Sequence, residues 1–110
     1  MRVVRIGQLP DAPLAAAAAF YAEYLPLALA AVAEGEPVTL VFGAADYRHR
    51  GWRAEVLAGL AREAAPVRVN GLAGGDAAAV EAALAWLAAA PGVTGQLLAL
   101  DSQGAGEVIG

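Results

Sequence analysis

Four short β-rich runs alternate with three helical patterns along this chain, and that alternation restricts its fold more than any other feature. The runs are Val3-Val4-Arg5-Ile6, Val38-Thr39-Leu40-Val41-Phe42, Val67-Arg68-Val69-Asn70 continuing to Leu72, and Gln96-Leu97-Leu98-Ala99-Leu100. A helix between successive strands is the usual way to bring a parallel neighbour alongside. The order β-α-β-α-β-α-β therefore predicts an α/β fold with a four-stranded parallel sheet and three main helices. The near-continuous apolar run at 38–42 suits a strand covered on both faces.

The helical patterns carry their own punctuation. The first spans residues 14–33, with Asp11 as its expected cap and Pro13 in its first turn. Phe20, Tyr24, Leu27 and Ala31 form one stripe, and Tyr21, Leu25, Ala28 and Val32 form another beside it. So broad a stripe predicts cover on more than one side. Pro26 should bend this helix, because a proline inside a helix removes a backbone bond. The second helix spans residues 51–65, with Trp52, Val56, Leu60 and Ala64 on one face, and Pro66 closes it. The third follows the Gly74-Gly75 turn, with Asp76 as N-cap, Glu81 near its positive end, and Val80, Leu84, Trp86 and Leu87 as packing residues. The tail from residue 104 to residue 110 reads as loose.

Composition sets exclusions. At 110 residues the chain suits one domain, residues 1–110, and its 59% hydrophobic content can fill a core. A net charge of −4 argues against general nucleic-acid binding, which needs a basic patch. Absent cysteines exclude disulfides and thiolate chemistry, and a single histidine, His49, argues against a metal site. Tyr21, Glu23, Tyr24 and Pro26 interrupt the apolar stretch from 14 to 32, so we expect a buried helix, no membrane span and, with no leader pattern at the start, a cytoplasmic protein. All seven basic residues are arginines, and Ser102 is the sole serine.

Two stretches resemble the short-chain dehydrogenase/reductase family. Ala61-Arg62-Glu63-Ala64-Ala65-Pro66-Val67-Arg68-Val69-Asn70 is similar to that family's passage ending in Arg-Val-Asn. Ala85-Trp86-Leu87-Ala88, then Val93-Thr94-Gly95-Gln96-Leu97-Leu98-Ala99-Leu100-Asp101, resembles its closing helix and Val-Thr-Gly-Gln strand. The resemblance implies a partial Rossmann-like fold whose strands correspond to the family's fourth to seventh. It also implies that the last crossover is left-handed, with its helix on the face opposite the first two.

The departures from the family bear on function. Gly7-Gln8-Leu9-Pro10 is no glycine-rich dinucleotide turn, so we expect no cofactor. Counting back from Pro66, the family's catalytic tyrosine falls on Asp46 and its lysine on Arg50, with Tyr47 one place off. That tyrosine moves the proton, and the lysine beside it favours its charged form. With no lysine anywhere and Ser102 beyond the last run, we expect a non-enzyme.

Asp46-Tyr47-Arg48-His49-Arg50 is the one chemically rich loop, and it follows a strand at the end where parallel sheets place ligands. It reads first as a solvated connection. The alternative makes His49 an acid/base, or Arg48 and Arg50 an anion clamp. Asp46, Tyr47, His49, Arg50, Gly74 and Gly75 are thus the candidate ligand residues. Asn70, Gly74 and Gly75 fall where the family borders its nicotinamide, although Asn70 reads best as satisfying backbone groups and the glycines as turning the chain. Thr94 and Gln96 read as local hydrogen-bonding residues, and Trp52 and Trp86 as packing residues. The first run would expose a sheet edge that Arg2 and Arg5 blunt or another chain covers. From that edge, and from the helices through which the family dimerises, we expect a homodimer or association with a dehydrogenase-like protein. The alternative is a small-molecule or anion binder at the Asp46–Arg50 loop and the Gly74-Gly75 turn.

Overall fold

The computed structural model describes residues 1–101 and the backbone of residues 104–108. Four strands, β1 (Arg2–Arg5), β2 (Val38–Phe42), β3 (Val69–Gly74) and β4 (Leu97–Asp101), lie side by side and parallel, in chain order. A fifth, β5 (Gly104–Val108), pairs antiparallel with β4 through an irregularity at Ala99 and Leu100. The tail read as loose is therefore a strand along residues 104–108. Gly104 and Gly106 hid it, because glycine carries little strand preference and this pairing rests on the backbone. Ser102 lies outside the described residues.

The strands feed two cores. Val4, Ile6, Val38, Leu40, Phe42, Val69 and Leu97 face one way, and Val3, Val41, Leu72, Leu98 and Leu100 face the other. That is the period-two alternation of a strand buried on both faces. Helices α1 (Pro13–Glu23), α2 (Leu25–Ala33) and α3 (Arg50–Ala64) cover the first face. Helix α4 (Ala77–Ala88) covers the second through Val80, Ala83, Leu84 and Leu87. Each crossover steps one strand further in the same direction, so a helix on the opposite face gives a crossover of the opposite hand. The expected placement of the last helix is what the fold has.

The long first helix is two helices. They bend by 41° around Tyr24, with Pro26 in the first turn of α2. No single helix is long and apolar enough to cross a membrane, although this bent pair passes that test by length and composition. Asp11 does not cap α1: the cap residue is Ala12, and Pro13 opens the helix. The Tyr24 hydroxyl accepts from the Gly7 N–H (3.0 Å), tying the β1–α1 loop to the bend. Phe20, fully buried, meets Phe42 and Trp52 at 5.7 Å each, and its burial contributes roughly 2 kcal/mol. Trp52 packs as expected; Trp86 is over half exposed, because its position on α4 turns away from the Val80–Leu84–Leu87 stripe. Glu81 lies beyond the first turn of α4 and pairs with Arg5 at 3.4 Å.

The two stretches that resemble the reductase family turn out to be each other's partners. Arg68 donates to the Leu87 and Ala90 carbonyls (3.0 Å each) and so satisfies the end of α4. The Val69 N–H donates to Thr94 Oγ1 (3.0 Å), and the Gly95 N–H to the Val69 carbonyl (2.7 Å). Asn70, 2% exposed, donates from Nδ2 to the Val93 carbonyl (2.8 Å) and accepts from the Gln96 N–H at Oδ1 (3.1 Å). Arg-Val-Asn and Val-Thr-Gly-Gln thus form one seam between the starts of β3 and β4, and Asn70 satisfies backbone groups there. At one point the seam brings α3 close: a Cβ on Gly71 would lie 2.5 Å from the Leu57 side chain.

Candidate functional site

The loops after β1, β2 and β3 meet at the opposite end of the sheet. Asp46 opens the connection from β2 to α3 by accepting from the Arg48 N–H (3.0 Å), which starts a short 3₁₀ turn at Tyr47–His49. The same carboxylate receives the Arg48 guanidinium at Nε (3.1 Å) and Nη2 (2.9 Å). Those bonds, the side-chain ones first, hold the Asp46 carboxyl below its usual range and push Arg48 above its own. Arg48 also reaches Asp11 across the cleft, at 3.4 Å.

His49 is buried, and both ring nitrogens are engaged. Trp52 donates its indole N–H to Nδ1 (3.0 Å), so the ring proton sits on Nε2, which donates to the Asp11 carbonyl (2.9 Å). The ring therefore pins the β1–α1 loop to α3. An acid/base at this position needs one nitrogen open to a reactant, and this arrangement leaves neither open.

The residues named from sequence largely converge. Asp46, Tyr47, His49, Arg50 and Gly74 line one cleft of about 230 Å³, with Ala44, Ala73, Ala99 and Leu100 among its apolar walls. Gly75 is not among the residues lining this cleft; it lines a neighbouring depression with Arg5 and Val80. Tyr47 projects outward, 80% exposed. Asp46 and Arg50, at the positions matched to the family's tyrosine and lysine, are an aspartate committed to Arg48 and an exposed arginine. Gly74 and Gly75 have φ of 78° and 79°, so the turn needs glycine. Thr94 and Asn70 belong to the seam at the other end of the sheet.

Arg53 is the residue that the sequence reading missed. It is 8% exposed, yet it lines both this cleft and a second one of about 240 Å³ below the β1–α1 loop. Its Nη1 donates to the Gly43 carbonyl (3.0 Å), and its guanidinium lies over the Phe42 ring at 4.6 Å. Its Nε has no partner, and burial pulls its pKa below the usual arginine value. The signal was present in the pattern: Arg53 heads the buried stripe Arg53, Leu57, Leu60, Ala64, where a charge is out of place. No cluster of three or more His, Cys, Asp or Glu among the described residues could hold a metal ion.

Comparison with known proteins gives one family. The SDR-like family, described as short chain dehydrogenase-like protein, matches residues 4–100. No curated protein and no solved structure matches the chain.

Proposed function

This chain belongs to the SDR-like family of short chain dehydrogenase-like proteins, and from that premise we propose that it is a non-catalytic member that acts by associating with a second copy of itself. The observation that carries this reading is the groove between the α1–α2 pair and α3. It is lined by Tyr21, Leu25, Leu29, Val56, Gly59 and Leu60, and holds about 430 Å³. Tyr21 and Leu29 are each nearly half exposed, and Leu14, two turns before Tyr21, is 87% exposed. Gly59 bares the α3 backbone there, with the Arg62 side chain 3.9 Å from where a Cβ would stand. The rim carries both signs, Glu55 and Glu63 with Arg62, so a two-fold arrangement can place the arginine of one copy against a glutamate of the other. The non-catalytic part of the reading is supported by the residues at the relay positions: no lysine exists, and Asp46 and His49 spend their polar atoms within the fold.

Native mass measurement across a concentration series tests the proposal. The expected result is a concentration-dependent doubling of mass, and a return to one copy in Leu29→Glu with unchanged circular dichroism. A strictly single-copy wild type sinks self-association. A stable complex only with a true dehydrogenase also sinks it, by moving the same face to a different partner.

A further inference from the structure

Taking a guanidinium out of water costs several kcal/mol unless it is paired. Arg53 is buried, and its compensation is one carbonyl and two aromatic faces, Phe42 at 4.6 Å and Trp52 at 5.8 Å. Its Nε is sealed from solvent without a partner, and its Nη2 has no hydrogen bond among the described residues, which leaves Nη2 as the nitrogen that a ligand in the cleft can reach. Two carboxylates stand at the same rim, but Asp46 and Asp11 both pair with Arg48. Arg50 also lines the cleft and makes no ion pair among the described residues. The three arginines of this rim outnumber its two carboxylates.

We infer that Arg53, through Nη2, is the head-group site for a small organic carboxylate, whose short apolar body lies against Ala73, Ala99 and Leu100. The class follows from the cleft. Its walls are alanines and leucines, which suit an aliphatic body, and its volume of about 230 Å³ is too small for a nucleotide-sized ligand. Asp46 lines the cleft too. Its charge opposes a doubly charged phosphate more than a singly charged carboxylate. The site sits beyond the strand ends β2 and β3, where parallel sheets hold ligands. It is separate from the groove between α2 and α3, so it stands whether or not the chain self-associates.

The test is a titration of the purified chain with propionate, butyrate and inorganic phosphate at fixed ionic strength, followed by amide and indole NMR. Butyrate is expected to shift the Trp52 indole and the Gly43 and Ala44 amides saturably, while the Trp86 indole stays still as an internal control. Arg53→Lys, which keeps a charge but removes the Nη2 donor while one ammonium must serve the Gly43 carbonyl, is expected to weaken butyrate about tenfold or more. Arg50→Gln is expected to weaken it less. Shifts that do not saturate, that sodium chloride reproduces, or that persist unchanged in Arg53→Lys overturn the proposal. So does saturation by phosphate alone. If Arg53→Lys does not fold, the wild-type titration decides by itself: no saturable shift at Trp52 ends the idea.

Discussion

A single carboxylate shows how the loop is held. Asp46 holds the 3₁₀ turn at Tyr47–His49 most strongly when ionised, since both its backbone and its side-chain bonds are to Arg48 donors, one of them a cation. Its folded pKa lies below the ordinary 3.8. The contribution to the turn is therefore whole at neutral pH, begins to fade as pH drops to the unfolded value, and is gone below the folded one. The Arg48 amide resonance should move in one acid step with a midpoint under 3.8, and Asp46→Asn should abolish the step. A midpoint at or above the ordinary value would contradict the pairing. The loop's composition was legible in the sequence, and so was its place after a buried strand. What could not be read was which cation took which carboxylate. The first reading, a solvated connection, is what the loop is, with Asp46 bonded to the Arg48 backbone; Arg48, which the alternative joins to Arg50 as an anion clamp, instead holds Asp46 and Asp11 within the chain. His49 likewise reads as a reactive group in one dimension and as a link between two loops in three.

At the scale of elements, the sequence reading identified all four parallel strands and the helices between them, because each run keeps one period and ends at glycine or proline. Its errors share a cause. The Asp11 cap, the Glu81 helix-end role and the packing of Trp86 were each local assignments that a distant partner or a helix phase changed. β5 was missed because its glycines carry no pattern. The β3–α4 turn is the element most exposed to a point change. Gly75 has φ of 79°, and a Cβ there would stand 2.8 Å from the Leu100 Cβ. Gly75→Ala should lower unfolding stability by about 1–3 kcal/mol, measured by denaturant titration, as strain and overpacking add. Asp76, whose side chain accepts from the Ala79 N–H at 2.8 Å, should keep α4 formed in that variant. A neutral result would mean that the turn can relax without cost.

At the scale of the molecule, the sheet ends in two edge strands, β5 beside β4 and β1 beside β2, and β1 is the parallel edge. Arg2 donates to the Pro37 carbonyl and Ile6 to the Val41 carbonyl, so the alternation of a parallel ladder turns the Val3 and Arg5 amides outward. Arg2 is held by Glu34 and Glu36 (2.9 Å each), and Arg5 by Glu81, which puts charge along that margin. Hydrogen exchange should find Val3 and Arg5 unprotected and Val4 protected, at concentrations where the mass has doubled. Protection of Val3 and Arg5 under those conditions would place the contact between copies along β1 and away from the helical groove.

The seam of Arg68, Val69 and Asn70 with Val93, Thr94 and Gln96 lies at the far end of the sheet from the clefts around Arg53. Cohesion is thereby gathered at the rim away from the clefts. Substitutions of the cleft side chains do not touch the stitching, whereas an exchange of either stitched segment alone strands the polar atoms of the other.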